Sequence, residues 1–292
     1  MDLDGDGHID ILSGSYSRME TDMAGLFHVF RGKKGGGFGK AEILKGTDGK
    51  PLIIPGSREK DLVEKICTRP FAVDLDGDGN LDLVVGNFGG TFYVFKGKGK
   101  GQFDPKPEML FAGKDPLRVK GGHSDPFVID LDGDGDLDIV SGSSDGGVYW
   151  AENIAGKGKP PVFAQFRPLI KPPETKEQTT QRATTVKEED LKGPTRATRV
   201  WVADVNGDGK LDLLVGDSVT LTAPAKGLTE AEMKKQLEQW EKYFSAAAEA
   251  MRKAKGETEE KKAREEYNKV YRRRAEIVKE EMTGFVWLYL QK

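Results

Sequence analysis

The sequence predicts a mainly β protein: a β-propeller of about four four-stranded blades, the first and last incomplete, with an inserted α-helical hairpin. Three observations lead there. One acidic motif occurs four times, as DLDGDGHIDILSG from Asp2, DLDGDGNLDLVVG from Asp74, DLDGDGDLDIVSG from Asp130 and DVNGDGKLDLLVG from Asp204. Each copy is followed by a glycine-opened apolar segment: GLFHVFRG from Gly25, GTFYVFKG from Gly90, GGVYWAEN from Gly146 and GFVWLYLQK from Gly284. Within the fourth copy, residues 228–282 keep a helical rather than a strand period. Four-stranded units repeated along a chain are the mark of propeller blades.

The motif tail and the segment after it are short, bounded by glycine and rich in Val, Ile, Phe, Tyr and Trp, which is the strand signature. Three copies also have an apolar lead-in: Phe71-Ala72-Val73, Phe127-Val128-Ile129 and Val200-Trp201-Val202-Ala203. A last strand is expected near FGKAEILK, FDPKPEMLF and VFAQFRPLI. The unit is therefore four antiparallel strands, A to D, with the acidic loop between A and B. The expected divisions are blade one at 1–66 without strand A, blade two at 67–122 and blade three at 123–170. A flexible linker at 171–195 precedes blade four at 196–292, which lacks strand D.

In the insertion, Met233, Leu237, Trp240, Phe244, Ala247, Met251 and Ala254 alternate at spacings of four and three, a coiled-coil-like stripe. Thr229 and Glu232 make a capping box at its start. A second helix is expected after Gly256, with Ala263, Tyr267, Val270 and Ile277 facing inward, closed by Gly284. Arms of about 25 residues would reach nearly 40 Å. Arg272-Arg273-Arg274 sits among glutamates and reads as a salt-bridged face.

Composition narrows the function classes. A net charge of −3 over 292 residues argues neither for nucleic acid nor for an acidic tail, and no nucleic-acid partner is expected. The single Cys67 rules out an internal disulfide framework. No apolar run approaches the ~18 residues of a membrane span. The catalytic inventory is thin, so no enzyme is expected. His8 lies in the first acidic loop, His28 in a strand and His123 in a glycine-rich lead-in. Gly142-Ser143-Ser144-Asp145-Gly146 matches G-x-S-x-G but is followed by a strand, not the helix a nucleophile elbow needs. GKKGGGFGK at Gly32 lacks phosphate-loop spacing.

The acidic loop carries the chemistry. Its pattern D-x-[DN]-x-D-G-x-x-D offers oxygens at positions 1, 3, 5 and 9, with a backbone carbonyl at 7. Calcium takes six to eight hard oxygen ligands, and this set suits it better than magnesium, which keeps its waters. Zinc and copper would want His or Cys. An EF-hand needs a Glu at position 12 and a following helix; here position 12 is Ser13, Val85, Ser141 or Val215, and a strand follows. A merely acidic turn does not explain four copies in phase with the same strands.

These repeats resemble the FG-GAP/VCBS family, the calcium-loop blades of integrin α-subunits and of many secreted bacterial proteins. The resemblance implies a β-propeller, calcium in the A–B loops and a role in adhesion, binding or scaffolding. By motif match the ligands carry over as Asp2, Asp4, Asp6 and Asp10; Asp74, Asp76, Asp78 and Asp82; Asp130, Asp132, Asp134 and Asp138; and Asp204, Asn206, Asp208 and Asp212. The carbonyls of His8, Asn80, Asp136 and Lys210 complete up to four sites. Site four, with Asn206 in place of a carboxylate, is expected to be weaker than sites two and three.

Strand parity places the B–C loops, the hairpin and the linker on the face opposite calcium, and an unknown protein or glycan partner is expected there. The other function class is a glycan-active or redox propeller enzyme using that face, where Asp22, Asp145 and Asp217 lie. Sites of this kind fill where calcium is millimolar, so an extracellular or periplasmic home is expected. Only Met1 stands where blade one should have strand A. The expectation is a piece of a longer propeller whose N-terminus carried the lost strand and an export signal; a closed four-bladed ring is the other possibility.

Overall fold

A computed structural model describes residues 1–16, 25–55, 65–173 and 186–292. Asp22, with residues 17–24 of the first B–C loop, and residues 174–185 of the expected linker lie outside the described residues. The chain forms two units: Met1–Pro172, Pro194–Asp217 and Val286–Lys292 make the first, Pro173–Gly193 and Ser218–Phe285 the second.

The first unit is built from antiparallel sheets. Strands β1 (Ile11–Ser13), β2 (His28–Phe30) and β3 (Glu42–Ile43) form sheet one. Sheet two contains β4 (Arg69–Val73), β5 (Asp82–Gly86), β6 (Phe92–Phe95) and β7 (Glu108–Met109). A small hairpin, β8 (Phe111–Ala112) with β9 (Asp115–Pro116), follows it. Sheet three is β10 (Asp125–Ile129), β11 (Asp138–Gly142), β12 (Val148–Ala151) and β13 (Arg167–Ile170). Sheet four begins with β14 (Arg199–Ala203) and β15 (Asp212–Gly216). The chain then leaves for β16 (Val219–Pro224) and β17 (Val278–Thr283) of the second unit, and returns as β18 (Val286–Tyr289) to pair with β15. The order A-loop-B-C-D expected from the repeats is the order observed.

Successive sheets pack face to face. Leu83 and Val85 on one face of β5 join Phe27, Val29 and Leu44 of the first sheet's region. Val84, on the other face, joins Ile139 and Tyr149 of sheet three. Val140 then meets Val200, Val202 and Val215 of sheet four. The middle strands are covered on both faces, which is why LVV and IV read as continuous apolar runs rather than as alternation. Among the described residues, no buried cluster joins sheet four to sheet one.

A repeated joint sets the spacing. Thr68, Ser124 and Thr198 stand just before β4, β10 and β14, each buried. Their hydroxyl oxygens accept the amides of Ser15 (2.9 Å), Asn87 (2.8 Å) and Ser143 (2.8 Å) from the preceding sheet's B–C turn. The residues before them, Cys67, His123 and Ala197, have φ of 57°, 56° and 51°. The glycine ending strand B lies against this joint: a Cβ on Gly86 would meet Ser124 O at 2.3 Å, and one on Gly142 would meet Thr198 O at 2.2 Å. Beside it, Asp125 pairs with Arg69 (3.6 Å) and Arg199 (3.5 Å), all three at the first position of a strand A.

The second unit corrects two expectations. Residues 228–282 are not all helical. The helices are α1 (Glu230–Lys253) and α2 (Glu257–Arg273), and Val278–Thr283 is strand β17, laddered on β16 over six residue pairs. The run Val219-Thr220-Leu221-Thr222, three of its four residues β-branched, supplies a partner that overrides the helical preference of Lys279-Glu280-Glu281-Met282. Nor are the described parts of 171–195 a free linker. Val186 N donates to Thr222 Oγ1 (2.7 Å), Thr222 N returns a bond to Val186 O (2.9 Å), and Lys187 pairs with Glu230 at 2.7 Å.

The apolar stripe buries Met233, Leu237, Trp240, Phe244 and Ala247 of α1 against Val270, Ile277 and Val278. Met251 is exposed, and α1 ends at Lys253 with Ala254 half-buried, so the expected stripe runs about one turn too far. Trp240 stacks on Phe244 and donates its indole N–H to Val270 O at 2.8 Å. The Thr229–Glu232 capping box is present.

Candidate metal centres in the acidic loops

The four loops share one scaffold. The position-1 carboxylate accepts the amides of both loop glycines. Asp74 takes Gly77 N (2.8 Å) and Gly79 N (2.9 Å), Asp130 takes Gly133 and Gly135, and Asp2 and Asp204 do the same. Positions 3 and 5 each accept the amide two residues on, as in Asp76 with Asp78 N and Asp78 with Asn80 N. These Asx turns coil the backbone so that the side chains converge on one side.

Convergence brings three acidic oxygens within 4.8 Å of one another in three loops: Asp2, Asp4 and Asp10; Asp74, Asp76 and Asp78; Asp130, Asp132 and Asp134. Each pair at that separation repels by roughly 3 kcal/mol at an effective dielectric near 20. Loop four has Asn206 at position 3, and its amide donates to Asp208 at 3.2 Å. The His8 side chain is not part of the loop-one group.

Position 9 does something the motif did not reveal. Asp10, Asp82, Asp138 and Asp212 are almost fully buried. Each receives the amide of the second residue past strand C: Gly32 (2.9 Å), Gly97 (2.7 Å), Asn153 (2.7 Å) and Gln291 (2.9 Å). Asp10, Asp138 and Asp212 also take the position-2 amide of their own loop, from Leu3, Leu131 and Val205. The residue is a latch between loop and sheet before it is anything else.

The residue just past strand C differs among the copies, and the motif reading passed over it. In loop one Arg31 Nη1 lies 3.1 Å from Asp4 and 2.9 Å from Asp10. In loop two Lys96 Nζ lies 2.7 Å from Asp76 and 3.3 Å from Asp82. The signal was in plain view, as VFRG and VFKG against WAEN and LYLQ.

Acidities follow these contacts. The Lys96 hydrogen bond holds Asp76 below the usual carboxylate range. Burial pushes Asp82 up, only partly offset by the Gly97 amide and Lys96. Burial also opposes ionisation of Asp10, but the Gly32 and Leu3 amides and Arg31 outweigh it and bring its pKa down. Asp138, buried and repelled by Asp132, rises to about 6 despite the Asn153 and Leu131 amides.

Loop three has a further carboxylate, Asp136 at position 7, only 6% exposed. Its Oδ2 accepts Gly156 N at 2.7 Å, while Oδ1 is buried with no hydrogen-bond partner. Burial and the charges of Asp134 and Asp132 raise its pKa. Asp136 is not part of the converging group; the donor chemistry of a hard divalent cation is that of Asp130, Asp132 and Asp134.

The acidic groups of the opposite loops are engaged locally. Asp145 accepts Tyr149 OH at 2.6 Å, and Asp217 accepts Thr195 N at 2.9 Å. The G-x-S-x-G stretch is the hairpin turn between β11 and β12, where Ser143 and Ser144 donate to the carbonyls of Lys120 and Gly121. No helix among the described residues is long and apolar enough to cross a membrane.

Residues 74–141, from the second acidic loop to strand B of sheet three, match the model of the FG-GAP-like repeat. A search of curated proteins finds no match.

Proposed function

We propose, from the premise that this chain is an FG-GAP-like repeat protein, that it is a calcium-dependent binding or adhesion scaffold whose sheets are blades of a propeller. The observation that carries the calcium reading is loop three. There ligand oxygens of Asp130, Asp132 and Asp134 lie within 4.8 Å of one another, with three carboxylates and no amide in the group. Asp130, Asp132, Asp134 and Asp138, with the position-7 carbonyl, would hold the ion, and the other loops offer the matching sets. A bound divalent ion supplies the positive charge that lets the carboxylates stay ionised at close range. The face-to-face order of the sheets supports the blade reading.

Calcium in such loops is part of the folded state, because an ion that binds only the native chain stabilises it. Loops of this kind suit compartments with millimolar calcium, which favours an extracellular or periplasmic setting. The test is isothermal titration of chelator-stripped protein with calcium chloride, paired with melting in calcium and in chelator. Heat of binding and a raised midpoint in calcium are expected. No heat and coincident melts would sink the reading.

A further inference from the structure

The four loops differ in one respect that the shared motif hides. In loops one and two the residue directly after strand C, Arg31 or Lys96, places its cationic head against the carboxylates of positions 3 and 9. The same oxygen of each carboxylate, Oδ2, is used in both loops. The corresponding residues in loops three and four are Glu152 and Leu290. Glu152 is turned to Arg167 at 3.1 Å, and Leu290 carries no charge and is exposed.

We propose that Arg31 and Lys96 are resident counter-cations that compete with divalent metal for loops one and two, so that loop three is the site that fills first. The inference rests on the calcium reading and refines it, sorting four near-identical motifs into partly neutralised and open sites. The geometry requires the competition. Positions 3 and 9 both belong to the ligand set, and a side-chain cation within 2.7–3.3 Å of both occupies the coordinating oxygens. Each head group is partly exposed, with side-chain exposure of 27% for both Arg31 and Lys96, so it can swing out when an ion enters. Among the described residues no ion pair reaches the loop-three carboxylates; Lys157 lays its aliphatic stem against Gly135 without pairing with them, and one oxygen of Asp136 is left without a partner. Without metal, one side-chain cation therefore offsets part of the charge of loops one and two, while the loop-three carboxylates have no ion pair among the described residues.

The experiment uses the full chain, stripped with chelator, titrated with calcium chloride, and melted without calcium. Lys96→Met should create an additional tight site, loop two gaining about tenfold or more in affinity, the factor carried by one charge-assisted hydrogen bond that no longer has to break. The same variant should melt lower than wild type without calcium and recover with it. Lys96→Arg, which keeps the charge, should titrate as wild type. Lys96→Gln provides a second neutral variant if Met disturbs folding. Calcium uptake by wild type with an unchanged or weaker isotherm for both neutral variants overturns this inference alone. No calcium uptake by any of the proteins overturns the calcium reading and this inference with it.

Discussion

The carboxylate of Asp82 receives the amide of Gly97 at 2.7 Å, and so ties the acidic loop before β5 to the chain leaving β6. The equivalent bond occurs in all four repeats, which separates position 9 from the other acidic positions. Asp138→Ala should cost about 2–5 kcal/mol in urea unfolding, with or without calcium, because the Leu131 and Asn153 amides lose their acceptor. Asp134→Asn, at an exposed position bonded only within its loop, should cost little without calcium and weaken calcium binding. Equal losses of calcium-free stability for the two variants would remove the distinction between latch and ligand.

Asp138 also predicts a pH effect. Its folded pKa is raised from 3.8 to about 6, so the folded chain holds this proton more tightly than the unfolded chain does. The stabilisation is fully present below 3.8 and is lost as pH rises through about 6. Measured without calcium, the difference in urea midpoint between wild type and Asp138→Asn should shift against wild type across that window and level off above it. Calcium, which binds the ionised form, should bind loop three less well as pH falls below about 6. A pH-independent difference would show that Asp138 titrates normally.

The glycine that ends strand B has different duties in different repeats. Gly142 is pressed on the Thr198 carbonyl of the next sheet, whereas a Cβ on Gly216 would meet nothing closer than the Arg199 Cβ at 3.9 Å. Gly142→Ala should therefore lower stability by about 1–3 kcal/mol or more, since backbone must shift. Gly216→Ala should change it by under about 0.5 kcal/mol. Parallel thermal melts check this, and similar losses at both sites would mean that sheet-to-sheet approach is not what the glycine serves.

The second unit enters and leaves sheet four between Gly216 and Val286, which are partners on the β15–β18 ladder. Replacing 218–285 by a short Asn-Gly turn should give a direct hairpin, with calcium titration unchanged because every candidate ligand belongs to the first unit. Cutting instead at 226–282 would remove most of β17 and leave strand β16 without its partner, and that chain should aggregate. Solution behaviour of the two deletions, compared by size exclusion, decides whether the ladder marks the true boundary.

Local rules carried much of this protein. The strands, the acidic loops between A and B, the capping box and the inward stripe from Met233 to Ala247 were legible in the sequence, because each depends on residues a few positions apart. Tertiary structure decided the rest. Val278–Thr283 became a strand because its partner lies more than fifty residues earlier, at Val219–Pro224, and no local preference encodes that meeting. Asp82 and its counterparts became latches because folding brings the exit of strand C against the loop. The same closure set Arg31 and Lys96 on two loops while leaving the third with an orphaned Asp136 oxygen. The motif specifies which atoms are offered to a cation; the neighbouring strand, reached only through the fold, decides which are already taken.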